Sequence, residues 1–269
     1  MKAIDTHAHV FSTAGPFAAG ARYVPAYEAT LAQWFSLQDA SGVSQGVLVQ
    51  PSFYGTDNRL LLAALQAHPR RLRGVVVVDP SVDRAVLARW DAAGVRGIRL
   101  NLWGGAPLPA LASADWQVLF EAIGALGWHV ELHVEHGRLD EVLRSIGRAP
   151  LARVIDHFGR PGAGTQAMDD LLRAIDEHAS AQPVYVKLSA PYRVAGDAAG
   201  GAARLLDALG ASRLMWGSDW PWTNFEGRHT YADCRRWLDA WIPDPDARMR
   251  VLFDTPARLF RFPVSGEGP

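Results

Sequence analysis

Two residues near the start of the chain could do chemistry together. His7 and His9 lie in the run Ala3-Ile4-Asp5-Thr6-His7-Ala8-His9-Val10, which reads as a β-strand. Strand side chains alternate, so both imidazoles point to one face. At a strand end such a pair can grip one divalent metal from one side. The same pair can also be two satisfied buried histidines. Further groups of the same kind end later apolar runs: His133 in 128–134, His157 in 153–157 and Asp219 in 213–219. Imidazole and carboxylate suit zinc or a similar ion, and the only cysteine, Cys234, stands at no strand end. A metal held there lowers the pKa of its water towards ~7. Asp219 could be a ligand, a general base, or both, and His157 could orient the water or polarise a carbonyl.

For these residues to meet, the chain must bring distant strand ends to one place. Short β-rich runs recur at 46–50, 74–79, 97–102, 128–134, 153–157, 184–189 and 213–219, after the first at 3–10. Helical patterns lie between them, at 58–67, 83–93, 115–126, 139–146 and 202–209. Alternation of this kind indicates a parallel sheet with helical crossovers. Eight units in 269 residues predict an α/β fold, a (β/α)8 TIM barrel forming a single domain over 1–269, with 263–269 as a flexible tail. No Gly-x-Gly-x-x-Gly follows the first strand, which disfavours a dinucleotide fold. In a barrel the catalytic groups stand at the C-terminal strand ends, so all five candidates would share one mouth. The long loop 11–25 would lie over it, and helical patterns at 230–241 and 246–260 would close the barrel.

Bulk properties narrow the function classes. The formal net charge is -1, which argues against a nucleic-acid partner. No apolar stretch is long enough for a transmembrane helix, and the first strand begins too early for a signal peptide. One cysteine permits no internal disulfide, consistent with a cytoplasmic protein. The expected partner is a small molecule, with a homo-oligomer left open.

The motif set resembles the amidohydrolase superfamily, in its amidohydrolase-related (amidohydrolase 2) branch, over nearly the whole chain. That superfamily uses a His-x-His on strand one, histidines after strands five and six, and an Asp after strand eight. His7, His9, His133, His157 and Asp219 match in order. The resemblance implies one divalent metal on His7, His9, His133 and Asp219, with zinc the expected ion and manganese the alternative. Strand four, Gly97-Ile98-Arg99-Leu100-Asn101-Leu102, lacks the lysine of binuclear members, so at most one metal is implied. A narrower likeness is to lactonases of the pyrone-dicarboxylate group. It rests on Val49-Gln50-Pro51-Ser52-Phe53-Tyr54-Gly55-Thr56-Asp57-Asn58, Val154-Ile155-Asp156-His157-Phe158-Gly159-Arg160-Pro161 and Trp216-Gly217-Ser218-Asp219-Trp220-Pro221. That group includes a metal-free enzyme, so a metal-free route stays open; His133 is the residue that favours a metal here.

The implied reaction is hydrolysis of a small carboxylated lactone of the pyrone-dicarboxylate, muconolactone or sugar-lactone type, from aromatic or sugar catabolism. Asp219 would be the general base and His157 a second catalytic group. Arg99, Arg160 and Arg193 would hold the carboxylate, since a guanidinium grips carboxylate in bidentate fashion; each could instead pair with a structural acid. Ser52 would add a hydroxyl or merely cap a turn. Two other functions compete: metal-dependent non-oxidative decarboxylation, and a catalytically inactive binding barrel. His129 and Glu131 share the parity of His133 and could face the barrel interior, while Lys187 has no evident role.

Overall fold

The computed structural model describes residues 2–263 apart from 16 and 106; of the expected tail, 264–269 lie outside the described residues. Eight strands run in the order β1 to β8 in one parallel sheet: Ile4–Ala8, Gln45–Val49, Leu72–Val76, Val95–Asn101, His129–His133, Ala152–Ile155, Val184–Leu188 and Leu214–Trp216. Both faces of such a sheet are covered, which is why these strands read as nearly continuous apolar runs. Helices α1 (Leu31–Ala40), α2 (Arg59–Ala67), α3 (Arg84–Ala93), α4 (Ala114–Ala125), α5 (His136–Ile146), α6 (Thr165–Ala179) and α7 (Ala198–Leu209) make the crossovers, and α8 (Tyr231–Trp241) follows β8. Local signals set their starts. Thr30 and Thr230 form capping boxes with Gln33 and Asp233, and the Asp83 and Asp197 side chains cap α3 and α7. This is the (β/α)8 barrel that the strand and helix alternation predicts.

The seam between β1 and β8 is made partly by residues beyond the strands. The Asp219 amide donates to His7 O at 2.9 Å, and the His9 amide donates to Trp220 O at 2.9 Å. Asp5 sutures the same seam from below. It accepts from the Ser218 amide (2.8 Å) and hydroxyl (2.6 Å), the Tyr231 hydroxyl (2.9 Å) and the Trp34 indole (3.1 Å). Gly217 permits the approach: a Cβ there would lie 2.7 Å from His7 Cβ and 3.0 Å from its amide nitrogen. Closing the barrel and joining Asp219 to His7 are therefore one event.

The other end is plugged. After α8 the chain continues as helix through Pro245–Met249, a π-turn at Arg250–Asp254 and Thr255–Leu259. Phe253, Ala257, Phe260 and Phe262 pack against Ile4, Val47, Val75, Val154 and Met215. Phe260 meets the ring of His129, the first residue of β5, edge-on at 5.1 Å. Solvent is thus excluded from the strand starts, and the cleft lies at the strand ends.

Two strand boundaries differ from those read in the sequence. β6 stops at Ile155 and β8 at Trp216, before His157 and Asp219. Both residues have left-handed backbones, with φ of 52° and 56°, a conformation that cannot continue a strand.

Candidate active site

The C-terminal ends of the strands surround a cleft of about 390 Å³. His9, His133, His157 and Asp219 line it, while His7 is fully buried beneath. Ring centroids separate His7 from His157 by 4.7 Å, His7 from His9 by 5.0 Å, and His133 from His157 by 5.2 Å. The structure brings all five candidates together. Positive φ recurs at this spot, at His157, Arg160, Ala190 and Asp219. Left-handed non-glycine residues of this kind concentrate at functional sites, where the surrounding fold holds them.

Each group is oriented by a specific partner. Asp219 Oδ2 accepts from the Tyr192 hydroxyl (2.6 Å) and Arg193 Nε (2.9 Å). Its Oδ1 turns the other way, 3.7 Å from His7 Nε2 and 3.8 Å from His157 Nε2. Burial alone would raise the Asp219 pKa, but Arg193 and then the surrounding histidines outweigh it and hold the carboxyl far below the usual range. His9 donates from Nδ1 to Val49 O at 2.8 Å, which leaves Nε2 as its lone-pair side. Burial first, then the charges of His7 and Arg99, lowers the His9 pKa to about 3. His157 Nδ1 pairs with Ser189 Oγ at 2.8 Å, and burial holds it neutral as well.

His133 is placed differently. Its Nδ1 meets Asn101 Oδ1 at 3.1 Å, and its Nε2 meets Arg160 Nη1 at 3.2 Å. At the cleft, the side-chain nitrogens and oxygen that converge to within 4.8 Å belong to His7, His157 and Asp219; a second such set, His7, Glu131 and Asp156, lies beneath it. His133, expected as a ligand, is not in the cleft set; its outer nitrogen faces a guanidinium instead.

A buried ionic layer supports the site from inside the barrel. Lys187 donates to Glu131 and lies 3.2 Å from His7 Nδ1. Asp156 Oδ1 lies 3.3 Å from the same His7 nitrogen, and Asp156 Oδ2 accepts from Arg99 at 3.0 and 3.2 Å. Glu131, Asp156, Lys187 and His7 are all essentially inaccessible. The two acids, Glu131 and Asp156, are matched by two cations, Lys187 and Arg99, as burial demands. Lys187 thus has a place that sequence reading missed. The available signal was its parity with Ser189 in an otherwise apolar strand: an interior lysine requires an acid facing it.

The expected substrate residues fall into distinct roles. Ser52 opens the turn Ser52–Tyr54 and lines the cleft. Arg99 lines it too, but its Nε and Nη2 are engaged by Asp156. Arg193 is committed through Nε to Asp219 and through Nη2 to Thr223 O. Arg160 has no carboxylate within 4.0 Å among the described residues; its guanidinium lies 3.2 Å from the centre of the Trp103 ring. Sequence reading did not single out Arg22, whose loop follows β1 and which also lines the cleft and donates to Trp103 O. Four arginines face a cleft whose lining includes one acid, Asp219. Pairing uses up Arg99 and Arg193, so Arg160 and Arg22 leave the cleft positive.

The donors present fit a metal ion. His7 Nε2 is buried with no hydrogen-bond partner in the structure, and it points at the same space as His157 Nε2 and Asp219 Oδ1. Two imidazoles and a carboxylate are a suitable set for one divalent cation. His9, expected as a ligand, is not in that set; its ring centroid lies 5.0 Å from that of His7.

Barrel architecture and this arrangement of histidines and aspartate define a family of hydrolases. The amidohydrolase family model matches residues 4–262, and the chain belongs to that family. Among curated relatives it is 30% identical, over 280 residues, to a 2-pyrone-4,6-dicarboxylate hydrolase of Comamonas testosteroni, covering 96% of this chain and 90% of the relative. It is 28% identical, over 266 residues, to a 4-sulfomuconolactone hydrolase of Rhizobium radiobacter, covering 95% of this chain and 89% of the relative. A crystal structure from Acinetobacter baumannii, described as a probable 2-pyrone-4,6-dicarboxylic acid hydrolase with citric acid bound, superposes with a TM-score of 0.90. It is 36% identical and covers 97% of this chain and 100% of that one.

Proposed function

We propose that the protein opens a small lactone bearing an acid group, by hydrolysis of its ring ester. The observation that carries this reading is the charge of the cleft: the Arg160 guanidinium has no carboxylate within 4.0 Å among the described residues and lines the same cleft as Asp219. Both curated relatives are named for hydrolysis of anionic lactones, which favours this chemistry over decarboxylation.

The residues divide the work as follows. Arg160, with Arg22 at the rim, takes the substrate's acid group and sets the ring over Asp219. Ser52 and the third, uncommitted nitrogen of Arg99 add donors on the facing wall. Tyr192 and Arg193 hold Asp219 Oδ2, so Oδ1 alone meets the attacking water. Asp219 stays ionised, receives the water's proton as the acyl carbon–oxygen bond forms, and returns it to the ring oxygen as the ring bond breaks. One water is consumed and one hydroxy acid, or its tautomer, is released. His157, fixed by Ser189, orients the water from the other side. A divalent ion on His7, His157 and Asp219, with His9 beside them, would supply Lewis-acid polarisation of the carbonyl and a more acidic water. Zinc suits these donors best, then manganese. The lone Cys234 is buried, with its thiol pushed up to about 12 by burial, and takes no part; a single inert thiol accords with the cytoplasm.

The test is a lactone panel. 2-Pyrone-4,6-dicarboxylate, muconolactones and sugar lactonic acids are offered beside uncharged lactones, with ring opening followed by absorbance or acid release. Turnover confined to anionic lactones is expected. Turnover of no lactone, or carbon dioxide release from hydroxybenzoates, would refute the proposal.

A further inference from the structure

His133 occupies the position from which a fourth imidazole could join the cluster, yet its bonding follows another logic. A guanidinium can only donate, so the His133 Nε2 that faces Arg160 Nη1 at 3.2 Å must accept. The ring proton then sits on Nδ1. That requires an acceptor at Nδ1, and Asn101 presents its oxygen there at 3.1 Å. Asn101 and His133 are direct register partners across β4 and β5, so the barrel itself fixes this relay. Trp103 completes it. The His133 ring stacks with Trp103, with centroids 5.8 Å apart and planes 10° from parallel, and the Arg160 guanidinium lies over the Trp103 ring. The turn carrying Trp103 is itself pinned, since the amides of Gly104 (2.6 Å) and Gly105 (3.2 Å) donate to Glu135 Oε1. On Arg160, the buried Nε has no partner in the structure.

We propose that His133 is a positioning residue for Arg160: it holds the guanidinium through Nε2, against Trp103, so that the cation's free edge faces the cleft and receives the substrate's acid group. The lone pair that a metal would need is the one Arg160 occupies. Asn101 and His133, at the ends of β4 and β5, with Trp103 just beyond β4 and Arg160 in the turn after β6, thereby form one anion-binding unit beside the His7, His157 and Asp219 cluster and distinct from it in role. The identity of the guest rests on the lactone reading above; the arrangement of His133, Asn101, Trp103 and Arg160 does not.

The experiment uses the full chain and two probes, citrate for anion binding and zinc for the metal cluster. Citrate affinity is measured by calorimetry for the wild type, His133→Phe, Arg160→Met and the double variant, and zinc affinity by competition with a chelating indicator. Expected is a loss of citrate affinity of about tenfold or more in Arg160→Met. His133→Phe should share that loss, and the double variant should be no weaker than Arg160→Met alone, because the two act through one contact. Zinc affinity of His133→Phe should stay within about twofold of the wild type. A fall in zinc affinity of about tenfold or more makes His133 a metal ligand and overturns the proposal. Independent, multiplying losses of citrate affinity, or no loss in His133→Phe, also overturn it. Should His133→Phe fail to fold, Asn101→Leu repeats the test by removing the acceptor that fixes the tautomer. Its effect on citrate should then vanish in an Arg160→Met background, and an effect that persists there counts against the relay. These readouts need no turnover, so a protein that opens no lactone but passes them loses its functional reading and keeps its anion unit.

Discussion

Replacing Arg160 with methionine separates binding from folding. The guanidinium is half-buried, and burial first, then the Arg193 charge, lower its pKa to about 10. Without substrate this charge has unfavourable surroundings, which the carboxylates of Asp219 and Glu135 offset only in part. Methionine keeps an apolar stem against Trp103 but gives up the hydrogen bond to His133 and the guanidinium's contact with the Trp103 ring. Losing these contacts and relieving the charge oppose each other, so folding stability should move by less than about 1 kcal/mol. Substrate binding loses a charge-assisted hydrogen bond to a carboxylate, worth about 1.5–3 kcal/mol. At about 1.4 kcal/mol per tenfold, KM for an anionic lactone should rise about 10- to 150-fold. The acyl centre is untouched, so kcat should change far less. Steady-state kinetics on an anionic and an uncharged lactone, with urea unfolding in parallel, check both halves. A KM rise equal for both substrates, or a stability loss above about 2 kcal/mol, would refute the reasoning.

Three other outcomes follow from the same geometry. Asp219→Asn removes the carboxylate that Tyr192 and Arg193 hold; kcat should fall about 10²- to 10⁴-fold, and the unpaired Arg193 should lower stability by about 3 kcal/mol, as kinetics and denaturant unfolding will show. In metal-free protein, His9, His133 and His157 are buried neutral with pKa values below the ordinary ~6.5. The unfolded chain then binds protons that the folded one refuses, so stability is complete above about pH 6.5 and falls as pH drops towards the folded values. A urea midpoint unchanged down to about pH 4.5 would contradict this. Gly217→Ala forces a Cβ to 2.7 Å from His7 Cβ, beside backbone that cannot yield; a loss of about 1–3 kcal/mol and a lower kcat are expected from thermal melts and kinetics.

Much of the fold was legible because it depends on periodicity. Apolar runs at 46–50 and 184–189 announce strands, and helical patterns at 83–93 and 115–126 announce helices, each through interactions between near neighbours. The five chemical residues were legible for a related reason: a parallel barrel carries every strand end to one mouth, so His7, His9, His133, His157 and Asp219 must converge there. Other features lay beyond reach. Strand endings at Ile155 and Trp216 depend on left-handed backbones at His157 and Asp219 that local sequence does not demand. The partner of a buried charge was equally hidden, since Lys187 meets Glu131 only after barrel closure. Residue types along the chain determined the architecture and the composition of the site, because side-chain period and strand count are local properties. Tertiary structure alone decided the division of labour within it: Arg193 to Asp219, Arg99 to Asp156, and Arg160 to His133 and the cleft. Charges choose partners by distance in space, and those distances exist only once β1 and β8 have joined across His7 and Asp219.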